Sequence, residues 1–251
     1  MMKRLTTFLS AWILSVALLW SGGSAWALSF STSTATINLD ALSFTFNGAP
    51  IQIILTDVFS DTPTSTFVSN PEVAFASALA ESSSSLVREL VNAAAQENSV
   101  AAAQALALRS GVFESPGEGL LTVTVPFSAF SFAFAGTSED EAIAAFGAEI
   151  SLGQGLDGIV DTDSEVGFAE ALGGGFDFAF SAGFLSASIL FEEGQTGFFE
   201  AQVANFAIAA SGTPDERDNN VVPEPTSLLL LGSGLVGFGV WRRRQGGPSK
   251  V

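Results

Sequence analysis

Residues 121–134 read LTVTVPFSAFSFAF, and large and small side chains alternate along most of this stretch. In an extended chain, a period of two places alternate side chains on opposite faces. Phe130, Phe132 and Phe134 therefore share one face of a strand, with Ala and Ser on the other. Such strands suit sheets stacked face to face, so the stretch predicts a mainly β, β-sandwich-like domain.

The same design recurs in three later stretches, residues 176–180, 184–191 and 198–208, separated by Gly-containing segments. An aromatic stripe of this kind can bind carbohydrate, but Phe lacks the polar group that Tyr or Trp brings. The four Trp residues all lie in the terminal segments. We therefore predict that the Phe rows pack in the core.

Strand patterns also begin the predicted domain. Residues 28–61 are rich in Ser, Thr, Phe and Ile. Leu42, Phe44 and Phe46 alternate with polar residues, so they are expected to share a buried face. Asn47-Gly48 is a strong signal for a two-residue hairpin turn. We predict a β-meander here.

Residues 71–110 interrupt this pattern. Asn70-Pro71-Glu72 supplies an N-cap, a first-turn proline and a first-turn acid, which favour the start of a helix. The segment that follows is rich in Ala, and Val87, Leu90, Val91 and Ala94 are spaced as one face of a helix. We predict an Ala-rich helical insertion over residues 71–110, in two or three pieces.

An acidic segment follows, with carboxylates at Asp157, Asp161, Asp163 and Glu165. Alternate acidic residues in a loop offer several oxygens to calcium. The segment does not meet the EF-hand pattern, because Leu172 stands where the bidentate Glu would fall. Two interpretations remain open, a weak calcium site and an acidic loop that only faces water.

Composition restricts the chemistry. The net charge is −17, and between Leu28 and Thr213 the only basic residues, Arg88 and Arg109, stand against 22 Asp and Glu. Nucleic acid is therefore a poor partner, because phosphate contacts need Lys or Arg. The chain has no His, Cys or Tyr, which excludes Ser-His-Asp and Cys-His sites, His-liganded zinc and disulfides. A pair of carboxylates, as glycosidases use, remains the one enzyme type open.

The N-terminus has the form of a signal peptide. Lys3 and Arg4 precede an apolar run, and Ala25 and Ala27 give the small-x-small pattern of a signal peptidase site. We predict that residues 1–27 are removed and that the mature chain begins at Leu28. An uncleaved membrane anchor is the alternative.

The C-terminus has three parts in a fixed order. A polar linker, residues 214–221, leads to Val222-Pro223-Glu224-Pro225. An uncharged apolar run, residues 226–241, can enter hydrocarbon as a transmembrane segment, and the Arg242-Arg243-Arg244 cluster stays on the cytoplasmic side as a stop-transfer signal. A polar tail, residues 246–251, ends the chain. An ordinary single-pass anchor also explains the last two parts, but it gives no reason for the Pro-Glu-Pro box.

This tail, residues 222–245, resembles the PEP-CTERM sorting signal of Gram-negative envelope proteins. The resemblance implies export, cleavage near the box by an exosortase, and a place at the cell surface or in the extracellular matrix, with exopolysaccharide as a possible companion. It says nothing of residues 28–213, which we expect to form one secreted, non-enzymatic domain. The alternatives are a calcium-assisted carbohydrate-binding or adhesin module and a carboxylate-based glycan hydrolase.

Overall fold

A computed structural model describes residues 28–155 and 160–212. Strands make up 78% of these residues and no α-helix occurs among them, so the mainly β prediction is confirmed. A single 3-10 turn, Leu39–Ala41, follows the first strand. In chain order the strands are β1 (Leu28–Asn38), β2 (Ser43–Phe46), β3 (Ala49–Ile51), β4 (Thr56–Asp61), β5 (Thr64–Val68), β6 (Ala74–Ser82), β7 (Leu86–Gln96), β8 (Ser99–Glu114), β9 (Gly119–Ala135), β10 (Glu141–Gln154), β11 (Val160–Leu172), β12 (Gly175–Phe191) and β13 (Thr196–Ser211).

The strands form two antiparallel sheets. Sheet A has seven strands, five of which lie in the order β12-β9-β1-β7-β6. On the β1 side of β9, β1 pairs with the second half of β9 and β2 pairs with part of the first half. The short strand β3 pairs with the other side of β2. Sheet B has six strands and runs β11-β10-β13-β8, with β4 and β5 sharing the far side of β8. From β7 onward the chain changes sheet at every connection except the β10–β11 hairpin.

The first strands follow the sequence closely. Asn47 and Gly48 form the turn between β2 and β3, with φ of 51° and 80°. Phe44 is buried, and Leu42 and Phe46 pack against the core beside it. The predicted turn and its shared apolar face are therefore confirmed.

The core between the sheets narrows from one end to the other. The inward side chains of β1 are Ser29, Ser31, Ser33, Ala35 and Ile37, all buried, so four small residues precede one large one along the strand. At the wide end the core holds Phe113, Phe191 and Phe199 with Leu, Ile and Val. At the narrow end its apolar residues are almost all Ala, with buried Ser beside them.

Hydrogen bonds join the two sheets at the narrow end. Ser31 Oγ donates to the carbonyl of Ile208 at 2.8 Å, and Ser33 Oγ donates to the carbonyl of Ala145 at 2.8 Å. Both hydroxyls belong to sheet A and both carbonyls to sheet B. Because side-chain hydroxyls reach the opposite backbone directly, the sheets lie too close for large side chains to enter between them.

The predicted helical insertion over residues 71–110 is wrong, because the segment forms β6, β7 and most of β8. Its alanines have a period of two as well as helical spacing, and those on the inner face line the narrow end of the core. Packing of this buried face outweighs the helix propensity of Ala. Asn70 does not cap a helix; its side-chain oxygen accepts from the Glu72 N–H at 3.1 Å within a single turn.

Three glycines of sheet B each lie beneath a Phe ring of the neighbouring strand. The pairs are Gly167 with Phe146, Gly153 with Phe198, and Gly197 with Phe113. In each pair the ring occupies the space that a Cβ on the glycine would need. The ring therefore covers the backbone of the glycine, a pairing known to stabilise glycine in sheets.

We expect Gly197→Ala to lower the free energy of unfolding by about 1–3 kcal/mol, because the buried Phe113 ring has no room to move away. Gly153→Ala is the matched control, since the half-buried Phe198 ring can turn toward solvent. Urea unfolding of both variants measures the difference. Equal losses would show that the rings do not determine the cost.

Candidate functional site

The outer surface of sheet A carries many aromatic and aliphatic side chains, with a few uncharged polar ones among them. Strand register places these residues in three neighbouring transverse rows, each with one residue from β6, β7, β1, β9 and β12. The rows are Phe75, Ala94, Phe30, Phe134 and Phe176; Ser77, Asn92, Thr32, Phe132 and Phe178; and Leu79, Leu90, Thr34, Phe130 and Phe180. We call these three rows, together with Phe184 farther along β12, the aromatic face.

The predicted core packing of these Phe rows is wrong for β9 and the first half of β12. Phe176, Phe178, Phe180 and Phe184 are 60–70% exposed. The small residues of β9, such as Ala133, point into the core instead. The close approach of the sheets explains this reversal, because Ala and Ser fit between them and phenyl rings do not. Phe191 and Phe199, by contrast, lie in the wide end of the core as predicted.

The rings of the aromatic face contact one another. The Phe132 ring lies 6.4 Å from that of Phe176 in a stacked arrangement and 6.3 Å from that of Phe30 in a tilted one. These contacts run diagonally across β1, β9 and β12. Offset and tilted aromatic pairs of this spacing are favourable, so they hold the rings in a common layer.

A shallow cavity of about 170 Å³ opens on the aromatic face. It is lined by Thr34, Thr36, Ser128, Ala129, Phe130 and Phe180. No carboxyl group lines it. The Thr34 hydroxyl is already used, because it donates to the backbone carbonyl of Glu89 at 2.8 Å.

Farther along the outer surface of β9 and β12, hydroxyl groups lie between the aromatic face and the exposed Leu120 and Leu190. These hydroxyls are paired across the strands, Thr122 with Ser188 at 2.7 Å and Thr124 with Ser186 at 3.2 Å between the oxygens. Ser186 Oγ also donates to the carbonyl of Val123 at 3.2 Å. These side chains therefore satisfy much of one another's hydrogen-bonding capacity.

The aromatic face is uncharged although the chain is strongly acidic. None of its three rows contains Asp, Glu, Lys or Arg. The next row brings Arg88 and Glu81 at the β6 side of the sheet, where Arg88 Nη2 and Glu81 Oε2 form an ion pair at 2.6 Å. Any partner of this face is therefore selected by apolar contact and shape, not by charge.

The acidic residues proposed for calcium binding lie in a strand instead of a loop. Asp161, Asp163 and Glu165 alternate along β11 and point toward β12. Asp157 lies outside the described residues. Within the part of the chain that the structure describes, no three acidic side chains converge where they could hold a metal ion together. The calcium site stays a prediction.

These carboxylates fasten the edge of sheet A to the edge of sheet B. Asp161 and Asp163 each accept a backbone N–H of β12 at 2.7 Å, from Ser188 and Ser186 respectively. Glu165 accepts from the Ser181 hydroxyl at 3.0 Å. The side chains thus take the place of a backbone ladder between β11 and β12, and they occupy N–H groups that an edge strand otherwise leaves unpaired.

We expect Asp163→Ala to lower the free energy of unfolding by about 1 kcal/mol, because it removes the exposed hydrogen bond that the Ser186 N–H donates to this carboxylate. Glu170→Ala, on the exposed side of the same strand, serves as the control and should change stability by less than about 0.5 kcal/mol. Thermal or urea unfolding at pH 7 compares them. A loss no larger than that of the control would contradict the fastening role.

Glu89 is a titratable group inside the core. It is fully buried on the inner face of β7, between Val87 and Val91, and neither carboxyl oxygen forms a hydrogen bond of good geometry, although the backbone of Asn205 and Ala107 lies near. Burial raises its pKa to about 9, and the backbone of Asn205 and Ala107 nearby offsets only part of this effect. Glu89 is therefore protonated and neutral in the folded protein at pH 7.

Sequence reasoning missed both the outward aromatic rows and Glu89. The outward direction of the aromatic rows has a signal in the small residues, since Ser and Ala recur with period two in β1, β7, β8, β9 and β13. Two sheets whose facing sides carry only such small residues pack close together, which leaves no room for phenyl rings between them. The signal for Glu89 is its place in the two-residue period of β7, because it stands midway between Val87 and Val91, which both point inward.

The predicted terminal sites lie outside the described residues. These are the signal peptidase site at Ala25 and Ala27, the Val222–Pro225 box, the apolar run over residues 226–241 and the Arg242–Arg244 cluster. Within residues 28–155 and 160–212, no helix has the length and hydropathy needed to cross a membrane.

Comparison with known proteins identifies the tail. Residues 221–244 match the family model of the PEP-CTERM protein-sorting motif. This agrees with the resemblance drawn from Val222, Pro223, Glu224 and Pro225. No curated protein matches the chain.

Proposed function

We propose that this chain is an exported, non-catalytic protein of the cell envelope or extracellular matrix, placed there by its PEP-CTERM sorting motif. The match over residues 221–244 carries the proposal. A motif of this type indicates export to the envelope or surface and involvement of an exosortase. The remaining chain, with its two-sheet, sandwich-like body, is then the cargo that is delivered.

Both ends of the sequence support this route. Signal peptidase removes residues 1–27 at Ala25 and Ala27, and the body crosses the inner membrane. The apolar run over residues 226–241 then holds the chain in the membrane with Arg242–Arg244 inside. Exosortase cleaves near Pro223-Glu224-Pro225 and releases or attaches the body.

A non-catalytic role is supported by what the chain offers chemically. It has no His, Cys or Tyr, and between Arg4 and Lys250 it has no Lys. The cavity on the aromatic face presents hydroxyl groups and two phenyl rings, none of which acts as a general base. A glycan hydrolase requires two carboxyl groups facing each other across a cleft, about 5–10 Å apart. That cavity provides no such pair.

Carbohydrate binding is the second candidate. The observation that favours it is the position of the cavity, where the phenyl rings of Phe130 and Phe180 meet the hydroxyls of Thr36 and Ser128. A sugar ring has one apolar face and polar edges, which such a surface can accommodate. Exopolysaccharide made by the same cell is the ligand to test.

The proposal predicts the mass of the protein recovered from native cells. We expect a chain that begins at Leu28 and ends near Pro223-Glu224-Pro225, with any attached group visible as added mass. Intact mass spectrometry and sequencing of both termini measure this. Replacement of Pro223, Glu224 and Pro225 by Ala should leave the chain uncleaved at the C-terminus.

Asp218→Ala in the preceding linker is the matched control and should be processed normally. A wild-type chain that still carries Trp241 and the three arginines would identify an ordinary membrane anchor and overturn the sorting proposal. Pull-down of the processed protein by exopolysaccharide, with and without a chelator, tests the second candidate separately.

A further inference from the structure

We propose that the aromatic face of sheet A binds the same face of a second copy of this chain. The inference goes beyond delivery to the envelope and does not depend on it. Its evidence is the exposure of the phenyl rings, the absence of charge on one surface of an acidic protein, and the shape of that surface.

The exposed apolar area is larger than a monomer normally shows. The four Phe side chains of β12 are each 60–70% exposed, which corresponds to roughly 500 Å² in total. Phe75, Leu79, Leu90 and the half-buried rings of β1 and β9 extend the same surface. The sum approaches the roughly 800 Å² that each partner buries in a stable interface, and it exceeds the patches usual on monomers.

The distribution of charge permits a second copy as the partner at this face only. The body carries 22 acidic residues against Arg88 and Arg109, so two copies repel each other over most of their surfaces. The three rows of the aromatic face contain no charge. Two copies can therefore approach closely through this face without placing carboxylates opposite each other, and aromatic residues with few charges are typical of interface cores.

The shape of the aromatic face also allows it to fit the same face of a second copy. The Phe residues of β12 form an exposed ridge, and the cavity of about 170 Å³ lies beside it. A twofold contact brings the same surface from both partners, so the ridge of each copy can meet the recess of the other. A glycan is a weaker fit, because the aromatic rows offer few hydrogen bonds and Thr34 is already bonded internally.

Single cysteines test the proposal in the full chain as cells export it, since the natural chain has no Cys. Ser77→Cys, Ser128→Cys and Ala182→Cys place one thiol each on the outer surface of sheet A. Gln104→Cys and Thr162→Cys place it on the outer surface of sheet B as controls. A short bis-maleimide added to the cells should yield cross-linked dimers from the first set only.

Substitutions within the aromatic face test whether the dimer forms by direct contact of the two faces or whether the thiols only come near each other by chance. Phe178→Glu with Phe180→Glu, made in the Ser77→Cys chain, should reduce the dimer about tenfold or more, because it buries charge at the centre of the interface. Phe59→Glu with Phe67→Glu is the matched control on exposed rings of sheet B and should leave the dimer unchanged. Melting temperatures of the double variants confirm that each still folds.

The proposal is overturned if no sheet A thiol gives a dimer, if thiols on both sheets give equal dimer, or if the dimer survives the Phe178 and Phe180 substitutions in a folded chain. Loss of the dimer when exopolysaccharide is removed enzymatically would show that a glycan, not direct contact, joins the copies.

Discussion

Glu89→Gln is expected to stabilise the protein at alkaline pH and to flatten its dependence on pH. The pKa of Glu89 is about 9 in the folded chain against 4.5 as its ordinary value. Between these values the folded state keeps a proton that the unfolded state has lost, so stability falls as pH rises. The part of Glu89's cost that depends on pH is absent below about pH 4.5 and is fully reached at about pH 9.

The effect is large because each pKa unit corresponds to about 1.4 kcal/mol, which gives a decline in the free energy of unfolding on the order of 6 kcal/mol across that window. Urea unfolding at pH 5, 7 and 9 measures it in the natural chain and in Glu89→Gln. The neutral amide has a similar size, so the variant should lose most of the decline. Glu118→Gln in an exposed loop is the control, since it makes the same change from carboxyl to amide at a position that is not buried. Parallel pH curves for the natural chain and Glu89→Gln would falsify the assignment.

Phe191→Ala is expected to cost about 3–5 kcal/mol of unfolding free energy, because it opens a cavity at the wide end of the core. Phe191 is fully buried there, and its ring lies 5.7 Å from that of Phe113. Phe184 lies on the same strand but is 70% exposed. Phe184→Ala should therefore change the stability of the isolated monomer by less than about 0.5 kcal/mol.

Urea unfolding at low protein concentration compares the two variants without a contribution from association. A large loss from Phe184→Ala under these conditions would mean that its ring is covered within the monomer. A small loss from Phe191→Ala would mean that the wide end of the core can collapse around the missing ring.

Alternation in the sequence predicted strands correctly, but it did not determine which face is inside. The sequence predicts that the larger side chains at Phe130, Phe132 and Phe134 are buried, as the larger ones at Val123 and Val125 on the same strand are. Which side chains of a strand point inward depends on the distance between the sheets, and every inward residue of the facing strands contributes to that distance. Residues 121–134 alone do not contain that information.

The segment over residues 71–110 shows a related ambiguity. Alanine satisfies a period of two and a helical period at once, so Ala93 and Ala95 carry no clear signal of their own. The decisive partners are Ala101 and Ala103 on the facing strand, which make a thin core of small residues. The choice between helix and strand was therefore made by tertiary contacts, as it commonly is where local preference is weak.

The sequence reveals the spacing of the acidic residues but not their partners. Asp161, Asp163 and Glu165 have a period of two in the sequence, and the structure places them on one side of β11. Their partners are backbone N–H groups of β12, which no side-chain pattern reveals. Glu89 follows Arg88 and looks like half of a surface pair, although Arg88 bonds Glu81 instead.

The position of β1 has a consequence for how the chain folds. This first strand lies in the middle of sheet A, and its neighbours come much later, since Leu28 pairs with Gln96 and Ser29 with Ala135. A chain that emerges from its N-terminus therefore has no partner for β1 until β7 follows at residues 86–96, and the second partner, β9, comes only at residues 127–135. Such distant pairings make folding slow, on the order of milliseconds to seconds. For the export that we propose, such slow pairing would leave the body unfolded while the chain passes through a translocation channel.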